Sequence, residues 1–110
     1  MCSYQLAMMG AKVIKIEAPG AGDLSRRMGN NRALGDKLMG AGYCSTNAGK
    51  QSITLNLKHK SGKAAFLRLV ETADVMPENF RPGVMRRLEL DYERLHVVNP
   101  SLIYCSISGF

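Results

Sequence analysis

Short apolar segments that alternate with amphipathic helical ones constrain this chain more than any other feature. In "KVIKIEAPG" Val13, Ile14 and Ile16 are apolar, with Lys15 and Glu17 between and after them, and Pro19-Gly20 ends the run. In "QSITLNLKH" Ile53, Leu55 and Leu57 share one face, with Ser52, Thr54 and Asn56 on the other. Both read as strands. "SGKAAFLRLVETA" then places Ala65, Phe66, Leu69, Val70 and Ala73 near one stripe, with Ser61 as its N-cap, and reads as a helix. "ADVMPENF" follows as a short strand, in which Pro77 lacks a donor and predicts an edge or a strand end. "LIYCSIS" is nearly continuous in apolar character, as buried parallel strands are.

Helical segments complete the order. Ser3 to Met9 forms one or two turns closed by Gly10. "RPGVMRRLEL" restarts a helix with Pro82 early in it. "DYERLHVV" has Asp91 as its cap and Asn99-Pro100 as its stop. The order helix, strand, long loop, strand, helix, strand, helix, helix, strand predicts an α/β fold: a layered, mainly parallel sheet with flanking helices. The long loop is residues 18–50, which hold seven glycines and little periodicity beyond a helical turn near Arg32 to Leu38. A loop of that length is usually functional or mobile.

With 110 residues the chain has room for one modest domain. No Trp and 6% aromatics leave the core to Leu, Ile, Val, Met and Ala. Fifteen Lys and Arg against nine Asp and Glu give a charge of +6, which favours encounters with anions without choosing among them. The basic residues are scattered and lack interleaved aromatics, so no nucleic-acid partner is expected. Cys2, Cys44 and Cys105 form no C-x-x-C and read as small buried thiols of a reduced, cytoplasmic chain. His59 and His96 have no companions at metal spacing, so no metal is expected. No apolar run approaches the roughly 18 residues of a membrane span, and no signal peptide is evident. "MCSYQLAMMGA" begins on a helical pattern without a lead-in, and "SLIYCSISGF" ends just after a strand. Both ends suggest a part of a larger protein.

Patterns for common chemistry fail. "PGAGD", "GNNRALG" and "GAGYCSTNAGK" match neither G-x-G-x-x-G nor a Walker loop, since Gln51 follows Gly49-Lys50. No G-x-S-x-G appears. Taken singly, Leu55 and Phe80 read as core residues, and Lys58 and Arg87 as solvated charges.

The ordered set of segments carries more. "APGAGDLSRR", "SITLNLK", "DVMPENFRPGV", "NPSLIY" and "SISGF" together resemble the family III CoA-transferases, the CaiB/BaiF family. That family includes formyl-CoA transferase, carnitine CoA-transferase and α-methylacyl-CoA racemase. The resemblance covers nearly the whole chain and loosens between about Met28 and Ala48. It implies a partial N-terminal, Rossmann-like, CoA-binding domain over residues 1–110, incomplete relative to the family domain.

By position, the resemblance places Leu55, Lys58, Asn79, Phe80 and Arg87 at CoA contacts. The roles suit the chemistry: cations for phosphate, an amide for a polar group, apolar side chains flanking adenine or pantetheine. Arg26 matches a recurrent arginine of less defined role. Three departures stand out: Ala18 where some members carry a basic residue, Glu89 for the usual Gly, and Pro77 for an aliphatic residue. The family's catalytic Asp, which attacks acyl-CoA to give an anhydride and then an aspartyl-CoA thioester, falls beyond Phe110. None of Asp23, Asp74 and Glu78 matches it, so no catalytic residue is assigned. The resemblance further implies acyl-CoA and a carboxylic acid as substrates and a homo-oligomeric, interlocked parent. The parent reaction is CoA transfer, and this chain alone is expected to be silent. The alternatives are a fragment of a CoA-thioester racemase or a non-catalytic binding or assembly module.

Overall fold

A computed structural model describes residues 1–109 and divides the chain into two compact units, Met1–Leu55 and Asn56–Phe110. Each has helices and a pair of parallel strands, so the chain is α/β.

In the first unit, α1 (Cys2–Met8) leads through Gly10 into β1 (Val13–Glu17), which pairs in parallel with β2 (Lys50–Thr54). The register sets Lys15 opposite Ser52 and Glu17 opposite Thr54. Residues between these strands are more ordered than the sequence suggests. A 3₁₀ turn (Leu24–Arg27) precedes α2 (Arg32–Asp36) and α3 (Ala41–Asn47). The turn near Arg32 is found where expected, but α3 is not foreshadowed. Its sequence, AGYCSTN, has neither an apolar stripe nor a side-chain cap. Close backbone approach holds it instead: a Cβ on Gly40 would sit 2.5 Å from the Met28 carbonyl oxygen and 2.7 Å from that of Arg26.

In the second unit, α4 (Lys60–Val70) is followed by β3 (Val75–Glu78), α5 (Val84–Arg87), α6 (Tyr92–Val98) and β4 (Ile103–Ser106). β3 and β4 pair in parallel, with Pro77 opposite Cys105. Phe66 and Val70 of α4 are buried with Met85, Leu90, Leu95 and Leu102. Asn99 locks this core. Its Nδ2 donates to the carbonyls of Val70 (2.9 Å) and Ala73 (2.8 Å), while its Oδ1 accepts from the Ser101 N–H and hydroxyl. Four contacts satisfy the buried amide, which closes the end of α4 onto the approach to β4.

Several local expectations change. The α4 cap is His59, whose Nδ1 accepts from Ser61, and not Ser61 itself. Pro82 and Gly83 form a turn ahead of α5, with Gly83 at φ 79°, a left-handed value that glycine adopts without cost. Ile103 and Ile107 are exposed at the two ends of the β4 segment that the sequence presents as buried. The three cysteines are free; Cys2 and Cys44 are exposed and Cys105 is half-buried, because α1 and α3 turn their thiol faces outward.

Candidate functional site

The first unit gathers its polar side chains on one face of the β1–β2 pair, reaching the carboxyl end of β1 at Glu17, the end of parallel strands where α/β folds take ligands. Alternation along β1 puts Lys15 and Glu17 on one face. Glu17 is 5% exposed. Its carboxylate receives both prongs of the Arg26 guanidinium, Nε to Oε2 and Nη2 to Oε1, each at 2.7 Å. The Ser52 hydroxyl donates to Oε1 at 2.6 Å and the Asp23 N–H to Oε2 at 2.8 Å. The guanidinium also lies 3.8 Å from the ring centroid of Tyr43 and donates to its hydroxyl at 2.6 Å. A forked, charge-assisted pair with a stacked aromatic suits arginine and no other cation. The Arg26 guanidinium holds the Glu17 carboxyl well below the usual carboxylate range against the opposing effect of burial, and Ser52 and Asp23 add to the depression.

Lys15 pairs with Asp23 and donates to Asn47 Oδ1 at 3.0 Å. Burial raises the Asp23 carboxyl, but Lys15 and Ser25 together outweigh it and bring it below its ordinary value. Gly22 has φ 64°, and a Cβ there would meet Glu17 Oε2 at 2.7 Å. The loop can therefore fold over the carboxylate only with glycine at this position. Beside the clamp lies a hollow of about 190 Å³ lined by Ala18, Gly20, Gly22, Arg26, Ser52 and Thr54. Ala18, which stands where some members of the resembled family carry a basic residue, is on its wall. Leu55 follows β2 at the same end, half-buried, and its N–H donates to the Glu17 carbonyl at 3.0 Å.

The second unit carries the other expected residues. Asn79 and Phe80 leave the carboxyl end of β3. The Asn79 amide donates to the Ile107 carbonyl at 3.3 Å, and the Phe80 N–H donates to Glu78 Oε2 at 2.7 Å. Phe80 is 46% exposed, so it is not the core residue its composition suggests. Arg87, on α5, is exposed and folds back so that its Nη1 is within 3.5 Å of where a Gly83 Cβ would stand. Asn79, Phe80 and Arg87 thus lie along one connection, from β3 through the Gly83 turn to α5. Lys58 is exposed in the turn before α4, where its N–H is held by Asn56 Oδ1 at 3.0 Å. Among the described residues, neither the Lys58 ammonium nor the Arg87 guanidinium meets a carboxylate within ion-pair distance.

Nearby, Tyr104 is pushed up to about 12 by burial and by the Glu78 charge that its hydroxyl faces at 3.4 Å. It stays a neutral donor. Among the described residues no group of three or more His, Cys, Asp or Glu is placed to hold a metal ion, and no helix is long and apolar enough to cross a membrane.

Sequence reasoning marked Arg26 but missed its partners Glu17, Tyr43 and Ser52. Glu17 looked like the polar member of an alternating strand, and nothing in the spacing joins it to residues nine, 26 and 35 positions on.

Comparison with known proteins follows the same lines. The model of the family described as CoA-transferase family III matches residues 1–110. Acetyl-CoA:oxalate CoA-transferase of Acetobacter aceti is 50% identical over 105 residues, which cover 96% of this chain and 26% of that protein. Succinate–glutarate CoA-transferase of Agrobacterium fabrum is 51% identical over 108 residues, covering 96% of this chain and 27% of that protein. The crystal structure of a CaiB/BaiF family protein from Brucella suis superposes with a TM-score of 0.85 at 39% identity, over 97% of this chain and 28% of that one. The chain therefore spans about a quarter of the length of the curated relatives it matches.

Proposed function

The chain belongs to CoA-transferase family III, and from that premise we propose that it is the CoA-binding part of an enzyme that moves CoA between an acyl-CoA and a carboxylic acid. The observation that carries this reading is the connection from β3 to α5. Within nine residues it presents an exposed aromatic ring at Phe80, an amide at Asn79 and, at Arg87, a guanidinium that meets no carboxylate among the described residues. Coenzyme A asks for these groups: apolar surface for the adenine or pantetheine, and cations for its phosphates. In the same unit Lys58 supplies a second cation.

In this reading residues 1–110 are part of a Rossmann-like N-terminal domain, and the parent is a cytoplasmic homo-oligomer. The similar proteins named above act on oxalate, or on succinate and glutarate. Others are named for mesaconate. All four are dicarboxylic acids, so the acid partner is taken to be a small dicarboxylate, and transfer is preferred over racemisation. Asp23 is engaged by Lys15, and Glu78 by Phe80 and Tyr104. We assign neither as the nucleophile, and these 110 residues alone are expected to turn over no acyl-CoA.

Calorimetric titration of the purified chain with CoA tests the binding claim. Saturable binding is expected, weakened about tenfold by Arg87→Ala, which removes a charge-assisted phosphate contact, and less by Lys58→Ala. Heat that stays linear to millimolar CoA, or an affinity unchanged in both variants, sinks the assignment.

A further inference from the structure

Three cations converge on the polar cluster of the first unit, and only two have a carboxylate. Arg26 is forked onto Glu17 and Lys15 is paired with Asp23. Lys50, the first residue of β2, has neutral acceptors instead: Ser3 Oγ at 2.9 Å and Asn47 Oδ1 at 3.3 Å. The same Asn47 oxygen accepts from Lys15 at 3.0 Å, so two ammonium groups meet on one carbonyl. The Asn47 amide is held in that orientation because its Nδ2 donates to the Tyr43 carbonyl at 2.9 Å and to Thr46 Oγ1 at 3.1 Å.

This arrangement fits an amine better than an ammonium. A neutral primary amine has two N–H donors and one lone pair. At Lys50 the two donors match the two neutral acceptors, and the lone pair is left over. Half-burial and the charge of Lys15 both disfavour the protonated form. Asp23 and Cys2 oppose them, and the balance lies below the ordinary lysine value, with burial the largest cause.

We propose that Lys50 Nζ is a nucleophile toward thioesters, and that it is the preferred site of acylation of this chain by acyl-CoA. The lone pair attacks the thioester carbonyl carbon. The C–N bond forms, the C–S bond breaks, and the thiolate that leaves takes the proton lost by nitrogen. The products are an Nε-acyl-lysine and a free thiol, with no change of oxidation state. Acylation fixes Lys50 in a neutral form beside the Lys15 charge, so the product is electrostatically favoured at this position. The step needs only a thioester in solution, and therefore stands or falls separately from the CoA pocket proposed above.

The experiment is site-resolved mass spectrometry of the chain after brief exposure, at pH 8, to acetyl-CoA or to S-acetyl-N-acetylcysteamine, a thioester without a nucleotide. Lys12, Lys37 and Lys60, all exposed, serve as controls within each sample. With both reagents Lys50 is expected to react about tenfold faster than any of the three. A Lys50 rate equal to or below theirs with either reagent overturns the proposal. Asn47→Asp puts a carboxylate against both ammonium groups and is expected to slow Lys50 by about tenfold while leaving the controls unchanged. Lys15→Gln, which leaves Asp23 free to face Lys50, slows it by a route that does not alter α3. An unchanged Lys50 rate in a folded form of either variant also overturns the proposal.

Discussion

In Asn56–Phe110 the side chains withdrawn from water are Phe66, Val70, Met85, Leu90, Leu95 and Leu102, with Asn99 as their polar bolt. In Met1–Leu55 the side chain withdrawn from water is a carboxylate, that of Glu17. The two halves of this chain solve folding in different ways. Apolar burial is non-directional, and each residue contributes roughly in proportion to its area. A buried charge contributes only when every partner is in place. Here Glu17 stands on β1 and its partners are drawn from the 3₁₀ turn with its cap Asp23, α3 and β2. The clamp therefore also fixes the course of the Gly-rich connection, which has little apolar material to do so.

That contrast can be broken by single substitutions, read by amide hydrogen exchange along the chain. Arg26→Ala strands Glu17 without its countercharge and should be the most damaging change, about 3 kcal/mol. Protection should fall in β1 and β2, with the amides of α4 little affected. Leu95→Ala removes a fully buried leucine and should cost about 2.5 kcal/mol, near the lower end for such cavities because the core is small. Protection should then fall in α4 and α6. An equal loss in both halves from either variant would mean that the two cores unfold as one, and the contrast would be only compositional.

How much of this the sequence discloses follows the same divide. The apolar stripe of α4 announces Phe66 and Val70, and Asp91 announces the start of α6, accepting from the Arg94 N–H. Periodicity works where burial is what holds the element. It fails in residues 18–50. There α3 is held by Gly40 pressed against the Met28 and Arg26 carbonyls, and by Tyr43 stacked on Arg26. Such contacts join residues far apart in sequence and leave no period. Asn99 is an intermediate case: Asn-Pro marks the stop of α6, but not the four hydrogen bonds that make the asparagine a core residue. Glu89 shows the reverse. The resemblance sets glycine there, and the structure gives the reason, since the backbone at Glu89 has φ 58°. The residues expected at CoA were named from the ordered motifs alone. Their chemistry is legible, but no pattern within a single motif would separate Phe80 or Arg87 from an ordinary surface.

Acid offers a gentler way to sharpen the contrast than substitution, because it neutralises the clamp without removing an atom. Glu17 has its folded-state pKa depressed, by Arg26 first, and Asp23 is lowered as well. A carboxyl that binds its proton more weakly when folded makes the unfolded chain the better proton acceptor in acid. Its stabilisation is complete above the unfolded value, about 4.5 for Glu17, and is lost progressively as pH falls below that toward the depressed folded value. The loss should be smaller than that of Arg26→Ala, since a protonated Glu17 can still accept from Ser52 and from Asp23. In the second unit Glu89 is lowered by Lys63, but that exposed pair is screened by water and contributes little. Exchange measured from pH 6 down to pH 3, corrected for intrinsic rates, should thus show protection fading at Ile14–Ile16 and Gln51–Ile53 while that of Phe66 and Leu69 holds. Parallel fading at both places would show that the acid-sensitive element is not the clamp. Persistence of protection in β1 to pH 3 would show that Glu17 contributes less to this half than its hydrogen bonds indicate.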